Sequence, residues 1–330
     1  LLGLSQIRPH CGWLRLRWRR FVVRLWRMLN SESRFAGHAF VGAPLDRADA
    51  LRGDADALAA LWPTAQILVL DTDGTAFADD DRQPALFSGN DLGGGPGTAI
   101  FLGLREGRAW FVAEAATLTV KAPQRMDLRQ AAVTWRAEVA DVFCYARGMS
   151  YWHSRNRFCG VCGSPVRFGR FGFIGHCDQC RTEHYPRVDP AVIVAVENNG
   201  RLLLGRQSSW VARRYSVLAG FVEPGETFEQ TVAREVFEEA RVRVIQAQYQ
   251  GTQPWPFPGA LMGGFRASAH DDVPTVDGEL EDARWFSVEE VGAALQRDSN
   301  DDGQGILLPP RLSIARTLIE QWYQSQCREG

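Results

Sequence analysis

Short apolar runs alternate with polar, glycine- and proline-marked breaks along most of this chain, and longer apolar stripes recur at helical spacing. Ala55 to Leu61 reads as a short helix. Gln66 to Leu70, Ala99 to Leu102 and Ala109 to Val112 have the length and composition of strands between turns. The glycines of GNDLGGGPG, residues 89–97, fit neither dinucleotide nor P-loop spacing, so this stretch predicts a plain connecting loop with no helix after it. Asp127 is placed to cap a helix from about Leu128 to Trp152, along which Ala132, Trp135, Val139, Val142, Phe143 and Ala146 recur. YPRVDP, residues 185–190, reads as a connector. Beyond it, AVIVAVENNGRLLLGRQ predicts a hairpin, with strands near 191–197 and 201–206 around Asn199-Gly200. YSVLAGF, residues 215–221, predicts another strand, and Phe228 to Ala240 a helix. Strands follow near 243–250, 260–268 and 283–286, then a loop over 297–305 and a helix from Arg311 to Gln324. Strands, a helix and more strands fit a mixed sheet between helices.

TQPWPFPGALM, residues 252–262, breaks the pattern. Pro254, Pro256 and Pro258 alternate with Trp255, Phe257 and Gly259. Three prolines remove three amide donors, which excludes a central strand and predicts a stiff, extended rim. Two aromatic rings held that way have little freedom left to lose on stacking against a planar base, a contact worth about 1–3 kcal/mol.

Composition narrows the class. At 330 residues, two or three domains are expected. A hydrophobic fraction of 45% and a net charge of −2 imply no global attraction to nucleic acid or membrane. No apolar run approaches the ~18 residues of a membrane span. Seven cysteines, three of them scattered, argue for a reducing compartment, so a cytoplasmic location is expected. Residues 1–30 carry seven arginines and no acid, interleaved with tryptophan and leucine. The pattern is compatible with a membrane-surface helix or a targeting segment; for 1–35 the expectation is a disordered or spurious extension outside the fold.

Two constellations carry chemistry. Cys159, Cys162, Cys177 and Cys180 form two C-x-x-C pairs separated by fourteen residues. Four thiolates close a tetrahedral zinc site with no open position, so one structural zinc per chain is expected. Six arginines between 155 and 187 face two acids, a local excess of +4 that suits either nucleic acid or a solvated surface. Glu235, Glu238 and Glu239 stand at i, i+3 and i+4 of the predicted helix, their Cβ atoms roughly 5–6 Å apart. At an effective dielectric near 20, each such pair repels by about 3 kcal/mol. Hard carboxylate oxygens clustered like this suit Mg²⁺ or Mn²⁺.

The glutamates belong to a longer pattern: Gly220, Glu226 after five residues, Arg234-Glu235 after seven more, then Val236 and Glu238-Glu239. It resembles the Nudix box. Arg241 stands where the box has a glycine that ends the helix in a left-handed conformation. Keeping that geometry with an arginine costs about 1 kcal/mol. With the cysteines and the QPWPFP run, the chain resembles the NADH pyrophosphatase branch of the Nudix hydrolases, whose bacterial members also remove NAD caps from RNA. The resemblance implies an N-terminal α/β domain with its connecting helix (36–155), a four-cysteine zinc ribbon (156–186), and a C-terminal Nudix α/β/α sandwich with a mixed sheet (187–330).

It also implies site residues. Glu235, Glu238, Glu239 and the downstream Glu279 match metal ligands, and Ala219 matches a position at the metal and the pocket wall. Arg234 is expected to hold the glutamates in register, with Glu226 a candidate partner; Glu238 and Glu239 both remain candidates for the base. Tyr185, Gln253, Pro254, Trp255, Pro256, Phe257, Pro258, Ala260 and Ala315 match substrate-binding positions. Thr252 and Ala260 replace two family serines, and Gly172 replaces a family acid. The implied reaction is metal-dependent hydrolysis of NAD(H) to nicotinamide mononucleotide and AMP, by a homodimer, on free dinucleotide or capped RNA. A broader dinucleotide or nucleoside-diphosphate-sugar hydrolase and a non-catalytic, ribbon-based nucleic-acid regulator are the alternatives.

Overall fold

The computed structural model describes residues 38–42, 45–97, 99–276, 278–298, 301 and 303–329. The expectation for 1–35 lies outside the described residues. The first sheet is built from β1 (Gln66–Leu70), β2 (Ala76–Ala78), β3 (Leu86–Phe87), β4 (Ile100–Arg105), β5 (Arg108–Glu114) and β6 (Gln124–Met126). Its order is β4-β5-β1-β2-β6, with β3 beside β1. β1 and β5 run parallel, Leu68 opposite Val112. Alternation along the strands divides the core. Ile67, Phe101 and Phe111 pack with Trp62 and with Leu58 of α1 (Ala55–Leu61), while Leu68, Leu70, Leu102 and Val112 turn the other way. The glycine-rich stretch opens with a one-turn helix, α2 (Gly89–Leu92), where a plain loop was expected. Ser88 caps it, and Gly89 touches Trp62 so closely that an added Cβ would stand 2.1 Å from its carbonyl oxygen.

The long connecting helix is two helices, α3 (Leu128–Thr134) and α4 (Ala137–Arg155). The expected cap is present: Asp127 accepts from the amides of Arg129 and Gln130. The break comes from Trp135, which leaves helical geometry, buries its ring and donates from Nε1 to Arg82 O at 2.7 Å. The stripe survives the break: Val142, Phe143, Ala146, Met149 and Trp152 of α4 cover the second face of the sheet.

β7 (Val166–Gly169), β8 (Ile174–Cys177) and β9 (Glu183–His184) form a small antiparallel sheet carrying the cysteine pairs. The third sheet contains β10 (Asp189–Asn198), β11 (Arg201–Arg206), β12 (Leu218–Phe221), β13 (Val244–Trp255), β14 (Ala260–Ala269) and β15 (Asp282–Ser287). Its order is β13-β14-β10-β11-β15, with β12 beside β10 and a parallel β10–β14 pair. Valines alternating along β10 pack against Val232, Val236 and Ala240 of α5 (Phe228–Ala240). α6 (Val288–Arg297) and α7 (Ile314–Glu329) follow. Gly264 lets α7 approach: an added Cβ would stand 2.7 Å from Ile314 Cδ1. α7 starts three residues later than expected, after Ser313 accepts from Ala315 N.

The proline stretch divides. Thr252 to Trp255 continue β13, paired with Gly263 to Ala260, and only residues 256–259 leave the strand, as a turn. β13 is an edge strand, so Pro254 interrupts no ladder on its outer side.

Candidate active site

β12 carries Ala219 and Gly220 beneath α5. The loop after it turns at Gly225 (φ +96°), and a capping box of Thr227 and Gln230 starts the helix. Val232, Val236 and Ala240 bury the inner stripe, which leaves Glu235 and Glu239 at its border and Glu238 exposed. Gly220 and Glu235 meet directly: an added Cβ would stand 1.8 Å from Glu235 Cδ. The glycine of the box is therefore the seat of a glutamate as well as a turn residue.

Arg234 holds the cluster. Nε donates to Glu226 Oε1 at 2.6 Å and Nη2 to Glu226 Oε2 at 2.9 Å, a bidentate pair. Nη1 reaches Glu238 at 2.8 Å and Glu235 at 3.0 Å, and Nη2 also donates to Phe221 O. This guanidinium holds the Glu226 carboxyl at about 2, helped by the Glu223 amide and the Thr231 hydroxyl. Glu235 goes the other way. Burial pushes it up, Arg234 opposes, and the nearby negative charges of Glu238 and Glu279 push it up further. One guanidinium is thus shared by Glu226, Glu235 and Glu238, in a group of carboxylates that also includes Glu239 and Glu279. Their hard oxygens and mutual repulsion fit a divalent cation. They do not converge as the cysteines do. Among the described residues, only the four sulfurs form a group of potential ligand atoms within 4.8 Å of one another.

The cysteine site is built from two matching knuckles. Cys159 O accepts from Gly163 N and Cys177 O from Arg181 N, each at 2.8 Å, with Gly163 and Arg181 at positive φ. Sγ–Sγ distances are 3.6 Å for Cys159–Cys180 and 3.4 Å for Cys162–Cys177. Tetrahedral zinc with bonds of ~2.3 Å needs separations of about 3.8 Å, so the donors fit. The surrounding arginine excess is partly used internally: Arg157 faces Glu114, Arg167 Asp178, Arg170 Asp49 and Arg187 Asp189.

A cavity of about 600 Å³ opens beside the glutamates. It brings together Ala219, Glu239, Gln253, Trp255 and Ala315 from the expected set. Gln253 is fully buried and already engaged: Nε2 donates to Ala39 O and Leu312 O, and Oε1 accepts from Ile314 N. Trp255 and Phe257 meet edge to face at 4.9 Å, and Phe257 packs on the core under the first sheet. Pro254 pairs with Leu261, Pro256 is buried and accepts from Arg147, and Pro258 is exposed in the turn. Ala260 is buried opposite Trp255 and stands apart from the cavity wall, as does Tyr185, which is exposed and donates to Glu183. Glu279 stands exposed beside the cavity residue Leu280. The wall also contains Arg129, Arg214 and the 309–313 segment, none of which the sequence reading singled out. Arg129 sits in the first turn of α3, 91 residues before the first glycine of the box, and no spacing rule links the two.

Arg241 ends α5 in the left-handed region (φ 57°, ψ 21°), its amide donating to Phe237 O at 2.8 Å. The helix stops where a glycine would stop it.

Comparison with known proteins gives matches over both regions. Residues 187–307 match the NUDIX domain, and residues 154–185 the NADH pyrophosphatase zinc ribbon domain. The chain is 39% identical over 294 residues to a NAD-capped RNA hydrolase NudC of Mycobacterium bovis, covering 86% of this chain and 93% of that one. It is 44% identical over 177 residues to the protein of that name from Stutzerimonas stutzeri, covering 53% of this chain and 59% of that one. A NAD-capped RNA hydrolase NUDT12 of Macaca fascicularis is 41% identical over 194 residues, covering 56% and 41%.

Proposed function

Because the chain belongs to the Nudix hydrolases that carry the NADH pyrophosphatase zinc ribbon, we propose that it hydrolyses the central diphosphate of NAD(H), free or as the cap of an RNA. The products are nicotinamide mononucleotide and AMP, or an RNA with a 5′-monophosphate. The carrying observation is that one cavity has Glu239 in its wall together with Trp255. A diphosphate with a planar base attached needs both.

Glu235, Glu238 and Glu239, with Glu279, would hold Mg²⁺ or Mn²⁺, and Ala219 adjoins them. Bound there, divalent cations neutralise phosphate oxygens and lower the pKa of water. The chain supplies the rest. Arg234 fixes Glu235 and Glu238 against Glu226, so the carboxylates are oriented before substrate arrives. Glu238 is engaged by Arg234, whereas Glu239 lines the cavity. Glu239 is therefore the better placed of the two to accept the proton of the attacking water at a carboxylate oxygen. Trp255 offers its ring to the base, and Gln253 anchors the wall behind it. The working form is a homodimer in the cytoplasm.

The test incubates the protein with NADH and with NAD-capped RNA, each with Mg²⁺ or Mn²⁺, and separates products by chromatography. Reduced nicotinamide mononucleotide with AMP is expected from the first, and 5′-monophosphate RNA from the second. Glu239→Gln should lower kcat by about 10²–10⁴-fold with little change in KM. No turnover of either substrate would refute the proposal.

A further inference from the structure

Arg129 is held at its backbone by the Asp127 cap, but its side chain reaches out to the catalytic wall. The guanidinium carbon lies 3.8 Å from the Phe257 ring centre and 5.8 Å from that of Trp255. Among the described residues no carboxylate forms an ion pair with it, whereas Arg125, four residues earlier, pairs with Asp71. Arg147 of α4 stands 5.0 Å from the same ring and donates to Pro256 O. Burial, and after it the positive charge of Arg129, pushes Arg147 down, while Asp73, Cys144 and Asp127 oppose the shift. Two guanidinium groups therefore crowd one aromatic ring, and the outer one borders the cavity that contains Glu239 and Trp255.

A guanidinium seated over a ring keeps N–H groups for a planar or tetrahedral oxyanion. The scissile diphosphate belongs with the glutamates, whereas Arg129 lies against the rings of Phe257 and Trp255. We propose that Arg129 binds a phosphate of the substrate outside the scissile diphosphate, namely the phosphodiester that joins a cap to the next nucleotide of an RNA. The inference rests on the hydrolase reading above and gives the α3 segment a role in choosing capped RNA over free dinucleotide. A second source of the same chemistry is the 2′-phosphate of a phosphorylated dinucleotide.

The experiment measures kcat and KM of the full chain, Arg129→Ala and Arg129→Lys on NADH, NADPH and a short NAD-capped RNA over a range of salt. In Arg129→Ala, KM for the capped RNA should rise about 10-fold or more, as expected for a lost hydrogen bond to a charged group. KM for NADH should rise by less than about threefold through the lost ring contact. The slope of log KM against log salt for the RNA should fall by about 0.7–0.9, the signature of one phosphate contact, and Arg129→Lys should restore most of it. A selective rise with NADPH in place of RNA upholds the phosphate role and assigns the 2′-phosphate to it. Equal losses on all three substrates, or none on any, overturn the inference while NADH turnover upholds the hydrolase reading. A wild-type chain inactive on all three overturns that reading and the inference with it.

Discussion

Gly220→Ala isolates the contact between the box glycine and the first glutamate. The added Cβ would stand 1.8, 2.0 and 2.3 Å from Cδ, Oε1 and Oε2 of Glu235. Ordinary contact needs about 3.5 Å, so the groups must separate by roughly 1.5 Å. Gly220 resists because β12 is paired with β10 there, opposite Val192. Glu235 therefore moves, and a shift of that size ends its 3.0 Å contact with Arg234. A 1 Å misplacement of a catalytic group costs about 10²-fold, so kcat/KM on NADH should fall at least that far, or ~2.7 kcal/mol in the barrier. Overpacking at a single position should cost about 1–3 kcal/mol of stability, visible as a lowered urea midpoint in a chain that still folds. Gly53→Ala is the control, since an added Cβ there meets nothing within 4 Å. Steady-state assays with an Mn²⁺ titration decide the matter. A Gly220→Ala chain with wild-type kcat/KM and wild-type metal dependence would refute the argument that this glycine seats Glu235.

Arg241→Gly should raise stability by about 1 kcal/mol, because the left-handed conformation at the end of α5 is strained for any residue with a Cβ; an unchanged or lowered urea midpoint would contradict this. Metal analysis should give one zinc per chain, and a strong chelator should unfold the ribbon, a segment for which apparent zinc affinities of ~10–16 kcal/mol are typical; a metal-free ribbon with unchanged protease resistance would count against the site. Asp141 supplies a pH test. Burial lifts its carboxyl to about 6, against the Gly42 and Phe40 amides and Arg105, with Glu138 adding to the rise. Between about 4 and 6 the folded chain then holds the proton more tightly than the unfolded one, so stability contributed below that window is lost as pH rises through it. Asp141→Asn should flatten the decline in urea midpoint over that range, and an equally steep decline in the variant would refute the assignment.

Much of the fold was legible because local chemistry wrote it. Ala55–Leu61, the Asn199-Gly200 hairpin, the box helix and the cysteine knuckles depend on neighbours within a few residues. The split at Trp135 was hidden because its apolar ring fits the helical stripe; only the distant Arg82 carbonyl draws it out of the helix. The site divides the same way. Box spacing marked Glu235, Glu238 and Glu239, and Arg234 with Glu226 followed from charge. Arg129 and Arg214 reach the cavity through packing between segments far apart in sequence. Gln253 was marked by its motif, yet its contacts with Ala39, Leu312 and Ile314 could be seen only in three dimensions.

Those contacts bear on how this enzyme can be divided. Ala39 also donates to Leu312 O, and His38 Nδ1 lies 3.3 Å from Thr317 Oγ1. The chain before the first sheet is thus laced into the wall of the cavity beside Glu239, and the buried Gln253 amide is the knot. A cut at the ribbon that kept only residues after 187 would strand one of its donors without Ala39. Recombination between relatives is constrained in the same way: a Nudix half exchanged without its matching N-terminal segment inherits the cavity but not the strap that shapes it.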